Sequence, residues 1–202
     1  MNAERVEPTR RLFFALWPDE ATRATLAHAT RKAVRSCGGR PVAVDKLHAT
    51  LLFLGSVAQS RVSELMGIAA RAAAVVVAGP GAVGPSLPGF VFDRVDFWKK
   101  AHVLVATPSV AGGAADALAG ALVEVLARET LSAGFAPDLK PFRPHVTLAR
   151  KVAFLKTELS MSPVPWSFAD FALVESQTDP DGPVYTILQS FPLVPGEKPP
   201  RA

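Results

Sequence analysis

The stretch that decides the fold is Leu47 to Gly55, which reads L-H-A-T-L-L-F-L-G. An apolar run of this length that ends in glycine is typical of a buried strand. The run nevertheless begins with two polar side chains, His48 and Thr50. On a strand, residues two positions apart point to the same face about 7 Å from each other. An imidazole and a hydroxyl placed in this way can contact the same small anionic group.

The H-x-T triplet of this stretch occurs three times in the chain. The other two copies begin at His28 and His145. His28 lies in a helical pattern, T-L-A-H-A-T-R-K, where residues two positions apart diverge by roughly 200°. We therefore assign His28 to a solvated helix face. His145 lies in R-P-H-V-T-L-A-R, which has the same strand-like pattern as the stretch around His48.

His48 and His145 are separated by about half of the chain, and each follows a predicted helix. This arrangement indicates a duplication in which a pseudo-twofold axis brings two equivalent strands side by side. Two imidazoles that face one cavity can act as a base and an acid, because their ordinary pKa values lie near neutrality. Phosphoryl transfer also needs donors for the equatorial oxygens, and Thr50 and Thr147 are the candidates.

Two other interpretations of these histidines remain open. Each histidine can be a core residue that is hydrogen-bonded to a neighbouring hydroxyl. Both can instead be metal ligands, although two histidines without a nearby Cys, Asp or Glu make a poor zinc site. Asp45 is three residues before His48, an offset that favours the opposite face of a strand. We expect no metal and no cofactor, and no Gly-rich phosphate loop of Walker or Rossmann type occurs between a strand and a helix.

The rest of the chain alternates helical and strand-like patterns, which predicts an α+β fold rather than a parallel doubly wound sheet. Predicted helices run from Pro18-Asp19-Glu20 to about Cys37, from Ser60 to Val77 and from Ala114 to Thr130. Predicted strands are Arg11 to Trp17, Leu47 to Leu54, Phe90 to Phe97, His102 to Thr107, His145 to Ala149, Phe168 to Glu175 and Tyr185 to Phe191. The tail from Pro195 to Ala202 is charged and rich in proline, so we expect it to be disordered.

Composition excludes several classes of protein. Hydrophobic residues make up 49% of the 202 residues and charged residues 20%, so the chain is not intrinsically disordered. The net charge of +4 favours anionic ligands such as nucleotides or RNA. Cys37 is the only cysteine, which excludes an intrachain disulfide and favours a reducing compartment.

The sequence also predicts a cytoplasmic protein without a membrane partner. The N-terminal apolar stretch is too short for a secretory signal. Ala72 to Phe92 has no charged residue, but glycines and prolines interrupt it. We therefore predict a helix end followed by a turn-rich loop there, rather than a membrane span.

At these motifs the sequence resembles the two-histidine (2H) phosphoesterases. Within them it is most similar to the bacterial and archaeal RNA 2',3'-cyclic phosphodiesterases, also called 2'-5' RNA ligases. The resemblance includes R-L-F-F-A-L from Arg11, L-H-A-T-L-L-F-L-G, F-R-P-H-V-T-L-A-R from Phe142, and F-A-L-V-E-S with Y-T-I-L near the end. It implies two pseudo-symmetric lobes around a central cleft, each an antiparallel sheet with helices packed outside and one H-x-T motif. We expect one bilobal domain over residues 1–194, and a monomer.

The resemblance also implies a chemistry and its residues. A terminal 2',3'-cyclic phosphate of RNA would be hydrolysed without a metal to a 2'-phosphate. His48 would protonate the departing 3' oxygen, and His145 would take a proton from water. Arg150 would lie near the phosphate, and Phe13 would help to line the cleft.

Strand spacing by itself favours a different arginine. Arg143 is two residues before His145 and shares its face, whereas Arg150 is five residues after it. On a regular strand Arg150 would point away, and only a strand end or a bulge would turn it towards the site. Both arginines are therefore candidates for the phosphate contact.

Two further functions remain open. The same residues can catalyse the reverse reaction, 2'-5' RNA ligation, because both directions share one transition state. The protein can also be a module that binds RNA ends without catalysis, although both histidines and both threonines are present. The first motif reads H-A-T-L-L where the family more often has H-L-T-L-A, and this difference leaves the two polar side chains in place.

Overall fold

The computed structural model describes residues 7–78, 87–110, 112–153, 160–180 and 182–193 of the chain. Three α-helices lie within these ranges: α1 (Glu20–Ser36), α2 (Val62–Ala78) and α3 (Ala114–Ser132). The strands within them are β1 (Thr9–Leu16), β2 (Arg40–Pro41), β3 (Ala49–Ala58), β4 (Gly89–Trp98), β5 (Val103–Thr107), β6 (Val146–Arg150), β7 (Ser160–Ser167), β8 (Asp170–Gln177) and β9 (Val184–Pro192).

The strands form two antiparallel sheets, and the predicted α+β class is confirmed. The first sheet has the order β3-β1-β8-β9, and the second has the order β2-β6-β5-β4-β7. The two H-x-T strands, β3 and β6, belong to different sheets and pack against each other. Strands β8 and β9 come from the end of the chain but complete the first sheet beside β1. The two lobes therefore do not coincide with the two halves of the chain.

Strand β1 is buried on both faces from Leu12 to Leu16, because a cluster of apolar side chains covers each face of the first sheet there. Leu12, Phe14 and Leu16 point into the main core, which also takes in residues of all three helices. Phe13 points to the other face of the sheet, where a smaller apolar cluster lies. The buried members of that cluster are Phe13, Ala15, Ala172 and Val174, and Trp17, Phe53 and Tyr185 pack against them half-buried.

The helices pack onto the sheets by the faces that carry their apolar residues. Helix α1 begins where the Asp19 carboxylate accepts a hydrogen bond of 2.7 Å from the backbone N–H of Thr22. It ends at Ser36, and Gly38, just beyond the C-cap residue Cys37, has a φ of 63°, the left-handed conformation that glycine adopts most easily. Helix α1 contacts β6 and β7 of the second sheet, whereas α2 and α3 contact each other. Helix α2 also contacts β9, and α3 also contacts β3 and β4.

Sequence patterns located the long elements but missed two strands. Strand β2 has only two residues, too few for a periodic pattern. Strand β7 contains Pro163 and Pro165, which argue against a strand because proline has no N–H to donate. The structure places β7 at the edge of the second sheet, paired with β4 alone. Residues two positions apart on a strand direct their backbone groups to the same side, so both prolines can face the unpaired edge.

Two sequence predictions fall on residues outside the described ranges. Helix α2 ends at Ala78 and β4 begins at Gly89, so most of the predicted turn-rich loop lies in the gap at residues 79–86. The predicted disordered tail, Pro195 to Ala202, lies outside the described residues as well. Within the part of the chain that the structure describes, no helix has the length and hydropathy needed to cross a membrane.

Candidate active site

The two strand-associated histidines are held in the same way. Each stands one residue before its strand, His48 before β3 and His145 before β6. The Nδ1 atom of His48 lies 2.8 Å from the carbonyl oxygen of Lys46, and Nδ1 of His145 lies 2.7 Å from that of Arg143. A carbonyl oxygen only accepts, so Nδ1 carries a hydrogen in both rings. Nε2 is left on each ring as the atom that gains or loses a proton.

The strands that follow the histidines share the same irregularity. Between β1 and β3 the register shifts so that Leu51, directly after Thr50, is an extra residue without a partner on β1. Between β5 and β6 it shifts in the same way at Leu148, directly after Thr147. An extra residue reverses the alternation of side chains beyond it. The residues five positions after each histidine, Phe53 and Arg150, thereby return to the face of the two threonines.

His48 borders a cavity of about 360 Å³ on the first sheet. Thr50, Phe13, Phe53, Tyr185 and Arg150 are among its other lining residues. His145 and Thr147 are not part of this lining. Strand β6 nevertheless packs against β3, and the charges of His145 and Arg150 both act on the His48 ring. The structure therefore brings the two histidines within electrostatic reach of each other.

The two candidate arginines lie in different places. Arg150 lines the cavity of His48, because the shift at Leu148 turns it to that face. Arg143 is exposed and lines another cavity, between α3 and the segment before β6, while its carbonyl holds His145. Regular strand spacing favoured Arg143, but β6 begins after His145 and is irregular, so that spacing does not apply here, and the choice between the two arginines stays a prediction.

The other two histidines lie outside the cavity of His48. His28 is exposed on α1, as predicted. His102 occupies a left-handed turn with φ of 52°, just before β5, and its ring contacts the carbonyl of Val152. Neither histidine therefore belongs with the pair at the two strand starts.

Aromatic rings surround both candidate histidines. The Trp17 ring stacks on His48 with centroids 5.0 Å apart and an interplanar angle of 2°. Phe13 and Tyr185 each lie 5.1 Å from the same imidazole. Trp98 lies 4.5 Å from His145 in the second sheet. Each histidine is thus fixed by a carbonyl on one ring nitrogen and by an indole against the ring.

Sequence reasoning missed most of these aromatic residues. Trp17 and Trp98 belong to no motif, and Phe53 lies within L-H-A-T-L-L-F-L-G without being distinguished there from its apolar neighbours, since the role of each depends on which strands become neighbours. Tyr185 offered a weak signal, because it is the only tyrosine of the chain and begins the Y-T-I-L segment. A single sequence does not distinguish such residues from ordinary core aromatics.

Burial makes both histidines weaker bases than free imidazole. It lowers the pKa of His48 to about 4, with smaller contributions from the nearby charges of Arg150 and His145, and the hydrogen bond to Lys46 opposes the change. Burial also lowers the pKa of His145, against the hydrogen bond to the carbonyl of Arg143. Both rings are therefore neutral in the free protein at neutral pH.

This lowered pKa predicts that the folded protein loses stability in mild acid. Between pH 6.5 and 4 the unfolded chain protonates His48 while the folded protein does not, so the free energy of unfolding falls as the pH decreases. We expect His48 to account for about 2 kcal/mol between pH 7 and pH 5. Urea denaturation at several pH values would measure this, with His48→Gln as the comparison. A pH dependence that is identical in the two proteins would contradict the assignment.

Metal-binding side chains do not converge within the described residues. No group of three His, Cys, Asp or Glu residues is placed to hold one ion there. Cys37 is buried, and its Sγ lies 3.1 Å from the carbonyl oxygen of Val34. It has the surroundings of a packed core thiol.

Two antiparallel sheets, each with one H-x-T strand, are the arrangement expected of the two-histidine phosphoesterases. The family model described as the 2'-5' RNA ligase superfamily matches residues 17–180. This match covers most of the sequence, and the chain belongs to the 2'-5' RNA ligase superfamily. The resemblance identified from the two motifs is thereby confirmed at the level of the family.

Individual relatives extend over nearly the whole chain. A Thermus thermophilus protein named RNA 2',3'-cyclic phosphodiesterase is 32% identical, over 91% of this chain and 90% of its own length. An Escherichia coli protein of the same name is 29% identical, over 91% of this chain and 97% of its own. The crystal structure of E. coli LigT complexed with 3'-AMP superimposes with a TM-score of 0.71 at 27% identity, covering 93% of this chain and 99% of LigT. The predicted fold and class of enzyme agree with these relatives.

Proposed function

We propose that the protein hydrolyses the terminal 2',3'-cyclic phosphate of RNA or oligonucleotides to a 2'-phosphomonoester. The observation that carries this proposal is the pair of histidines, one from each sheet, whose Nδ1 atoms donate to backbone carbonyls in the same way. This restraint leaves one Nε2 atom on each ring for proton transfer, and the two rings lie within electrostatic reach of each other. The names of the two bacterial relatives support the choice of substrate.

In the proposed reaction, Nε2 of His145 accepts a proton from water as the water oxygen attacks phosphorus. The bond from phosphorus to the 3' oxygen breaks, and Nε2 of His48 donates a proton to that oxygen. The products are a 2'-phosphate and a 3'-hydroxyl. Thr50 and Thr147 donate hydrogen bonds to the equatorial oxygens, and Arg150 offsets their negative charge.

The assignment of His48 as the acid follows the family resemblance. It requires the His48 ring to be protonated when the substrate is bound. His48 is neutral in the free protein, since its pKa is lowered to about 4. A phosphate anion beside the ring favours the imidazolium and raises the pKa. His48 then acquires its proton together with the substrate. Substrate binding should accordingly take up a proton.

The aromatic residues suit the nucleoside part of the substrate. Phe13 is only 1% exposed, so it forms the floor of the cavity rather than a surface for the base. Phe53 stacks on Phe13 with centroids 5.7 Å apart and is itself half-buried. Base–aromatic stacking tolerates any base, so Phe53 is the ring on which the terminal base would rest.

We expect hydrolysis to persist in excess EDTA, because a base and an acid at one site can transfer both protons without a metal-bound water. The measurement is incubation of purified protein with an oligonucleotide that ends in a 2',3'-cyclic phosphate, followed by identification of the product isomer. A 2'-phosphate formed in EDTA is the expected result. Activity that disappears in EDTA and returns with zinc or manganese would refute metal independence.

The family name gives one reason to test ligation as well. In ligation a 5'-hydroxyl takes the place of water and attacks the cyclic phosphate: the new bond is a 2'-5' linkage, the bond from phosphorus to the 3' oxygen breaks, and the two proton transfers run in the same direction as in hydrolysis. Water is present at far higher concentration than any RNA 5' end, which favours hydrolysis. The same assay with an added 5'-hydroxyl oligonucleotide would measure the ratio of the two products.

A further inference from the structure

Trp17 makes a face-to-face contact with the imidazole of His48. The two ring planes are within 2° of parallel, and their centroids are 5.0 Å apart. Phe13 lies 5.1 Å from the same imidazole at an interplanar angle of 33°, whereas Tyr185 meets it edge-on at 82°. The face of an aromatic ring carries negative electrostatic potential and attracts a cation placed over it. The indole is therefore placed to stabilise a positive charge on the His48 ring.

This contact follows from the way β1 passes beside His48. Phe13, Ala15 and Trp17 occur at every second position, so their side chains share the face of the first sheet that carries the smaller apolar cluster. Ala15 pairs with Thr50, which is two residues after His48. The small side chain of Ala15 leaves room between the two larger aromatic residues, and the imidazole contacts both of them.

His145 has a different aromatic environment. Among the described residues, Trp98 is the one aromatic side chain in ring contact with His145, and its plane is tilted by 47° from that of the imidazole. Indole is the aromatic group that attracts cations most strongly, and it does so through its face. The two histidines are held by backbone carbonyls in the same way, yet only His48 has a parallel indole against it. This difference indicates that the protein favours a positive charge on His48 more than on His145.

We infer that Trp17 is a positioning residue that stabilises the imidazolium form of His48 and thereby favours its role as the acid. This inference rests on the proposed function, in which His48 gives its proton to the departing 3' oxygen. Trp17 is not among the described residues that line the cavity of His48. It acts through the imidazole rather than on the substrate.

Other groups also act on the protonation of His48. Burial lowers its pKa to about 4, the positive charges of Arg150 and His145 act in the same direction, and the hydrogen bond to the carbonyl of Lys46 opposes them. The other charged or titratable residues that line the cavity of His48 are Arg11, Asp179 and Tyr185. The indole offsets part of the cost of burying the charged ring, and a phosphate anion in the cavity adds to its effect.

Fluorination of the indole tests this inference with little change in its shape. Trp17→difluorotryptophan, introduced at this one position, keeps the ring in place against His48 but weakens the negative potential of its face. We expect the protonation constant of His48 to fall roughly threefold, so that its pKa decreases. NMR titration of the His48 ring would measure this change, in the free protein and with adenosine 2'-phosphate bound. The alkaline limb of the pH dependence of kcat should move to lower pH, because the acid loses its proton earlier.

Trp166→difluorotryptophan is the matched control. Trp166 is buried in the second sheet, where it contacts Phe90 and Phe92, and it makes no ring contact with a histidine of the described residues. The same chemical change there should leave the titration of His48 and the pH dependence of kcat as they are in the unmodified protein.

The direction of the change in the Trp17 variant decides the inference. A pKa of His48 that is unchanged or raised would overturn it, because the indole would then act on the ring only by excluding water. If the unmodified protein hydrolyses no cyclic phosphate, the proposed function fails. The titration of His48 in the free protein still decides whether the indole stabilises the imidazolium, so the two failures are distinguishable.

Discussion

Replacing His48 or His145 by alanine is expected to reduce turnover roughly 10²–10⁴-fold, the usual contribution of one positioned acid or base. The physical reason is that each ring offers a single Nε2 atom for proton transfer, since its Nδ1 atom is bound to a backbone carbonyl. The measurement is the rate of cyclic phosphate hydrolysis at saturating substrate. The double variant should lose far less than the product of the two single effects, because the residues act as a unit.

A substrate with sulfur in place of the 3' bridging oxygen would assign the two roles. A thiolate leaves without protonation far more readily than an alkoxide, so the variant that lacks the acid should recover most of its activity on this substrate. We expect this recovery for His48→Ala and not for His145→Ala. Recovery of His145→Ala alone would instead make His145 the acid and His48 the base. Those roles would agree with the strongly lowered pKa of His48, which keeps its ring neutral.

His28→Ala is the matched control for both substitutions. It removes the histidine of the remaining H-x-T triplet. His28 is exposed on helix α1, whereas the other two histidines stand at the starts of strands. We expect near-normal turnover. A loss as large as that of the other two variants, in a protein that is still folded, would show that the wrong triplets were chosen.

Replacing Arg150 by alanine is expected to cost about 1.5–3 kcal/mol of transition-state stabilisation, the scale of a hydrogen bond to a charged group. This corresponds to roughly a tenfold to 150-fold fall in kcat/KM. The reason is its position, because the extra residue at Leu148 turns Arg150 to the face of Thr147 and into the cavity of His48.

Arg143→Ala provides the comparison within the same segment. Its side chain lines a different cavity, and only its backbone carbonyl contacts His145, which alanine retains. We expect kcat/KM to change less than threefold. If Arg143→Ala is the more damaging of the two, the phosphate lies on the opposite side of His145 from the cavity described above.

Much of the candidate site follows from the sequence because its residues form short motifs on single strands. His48 with Thr50, and His145 with Thr147, are two positions apart, so their common orientation depends only on local backbone geometry. The same pattern separated His28, since a helix sends such residues to different faces. The sequence was also sufficient for the α+β class and for the family.

The contacts of Trp17 and Tyr185 with His48 were out of reach of this reasoning. Trp17 contacts His48 because β1 pairs with β3, and Tyr185 contacts it because β9 joins the same sheet through β8. Such neighbours are determined by strand order, which a periodic pattern does not contain. The pairing of β8 with β1, and of β9 with β8, likewise leaves no pattern in the local sequence.

The two candidate arginines, Arg143 and Arg150, show most clearly what the sequence determined and what the tertiary structure determined. The sequence by itself determined that a cation lies near each end of F-R-P-H-V-T-L-A-R, and that the histidine and threonine between them share a face. Only the tertiary structure shows that Arg150 lines the cavity of His48 and Arg143 does not, because pairing of β6 with β5 leaves Leu148 without a partner and reverses the alternation after it. A register shift arises from contacts between two strands, so neither strand's sequence specifies it alone.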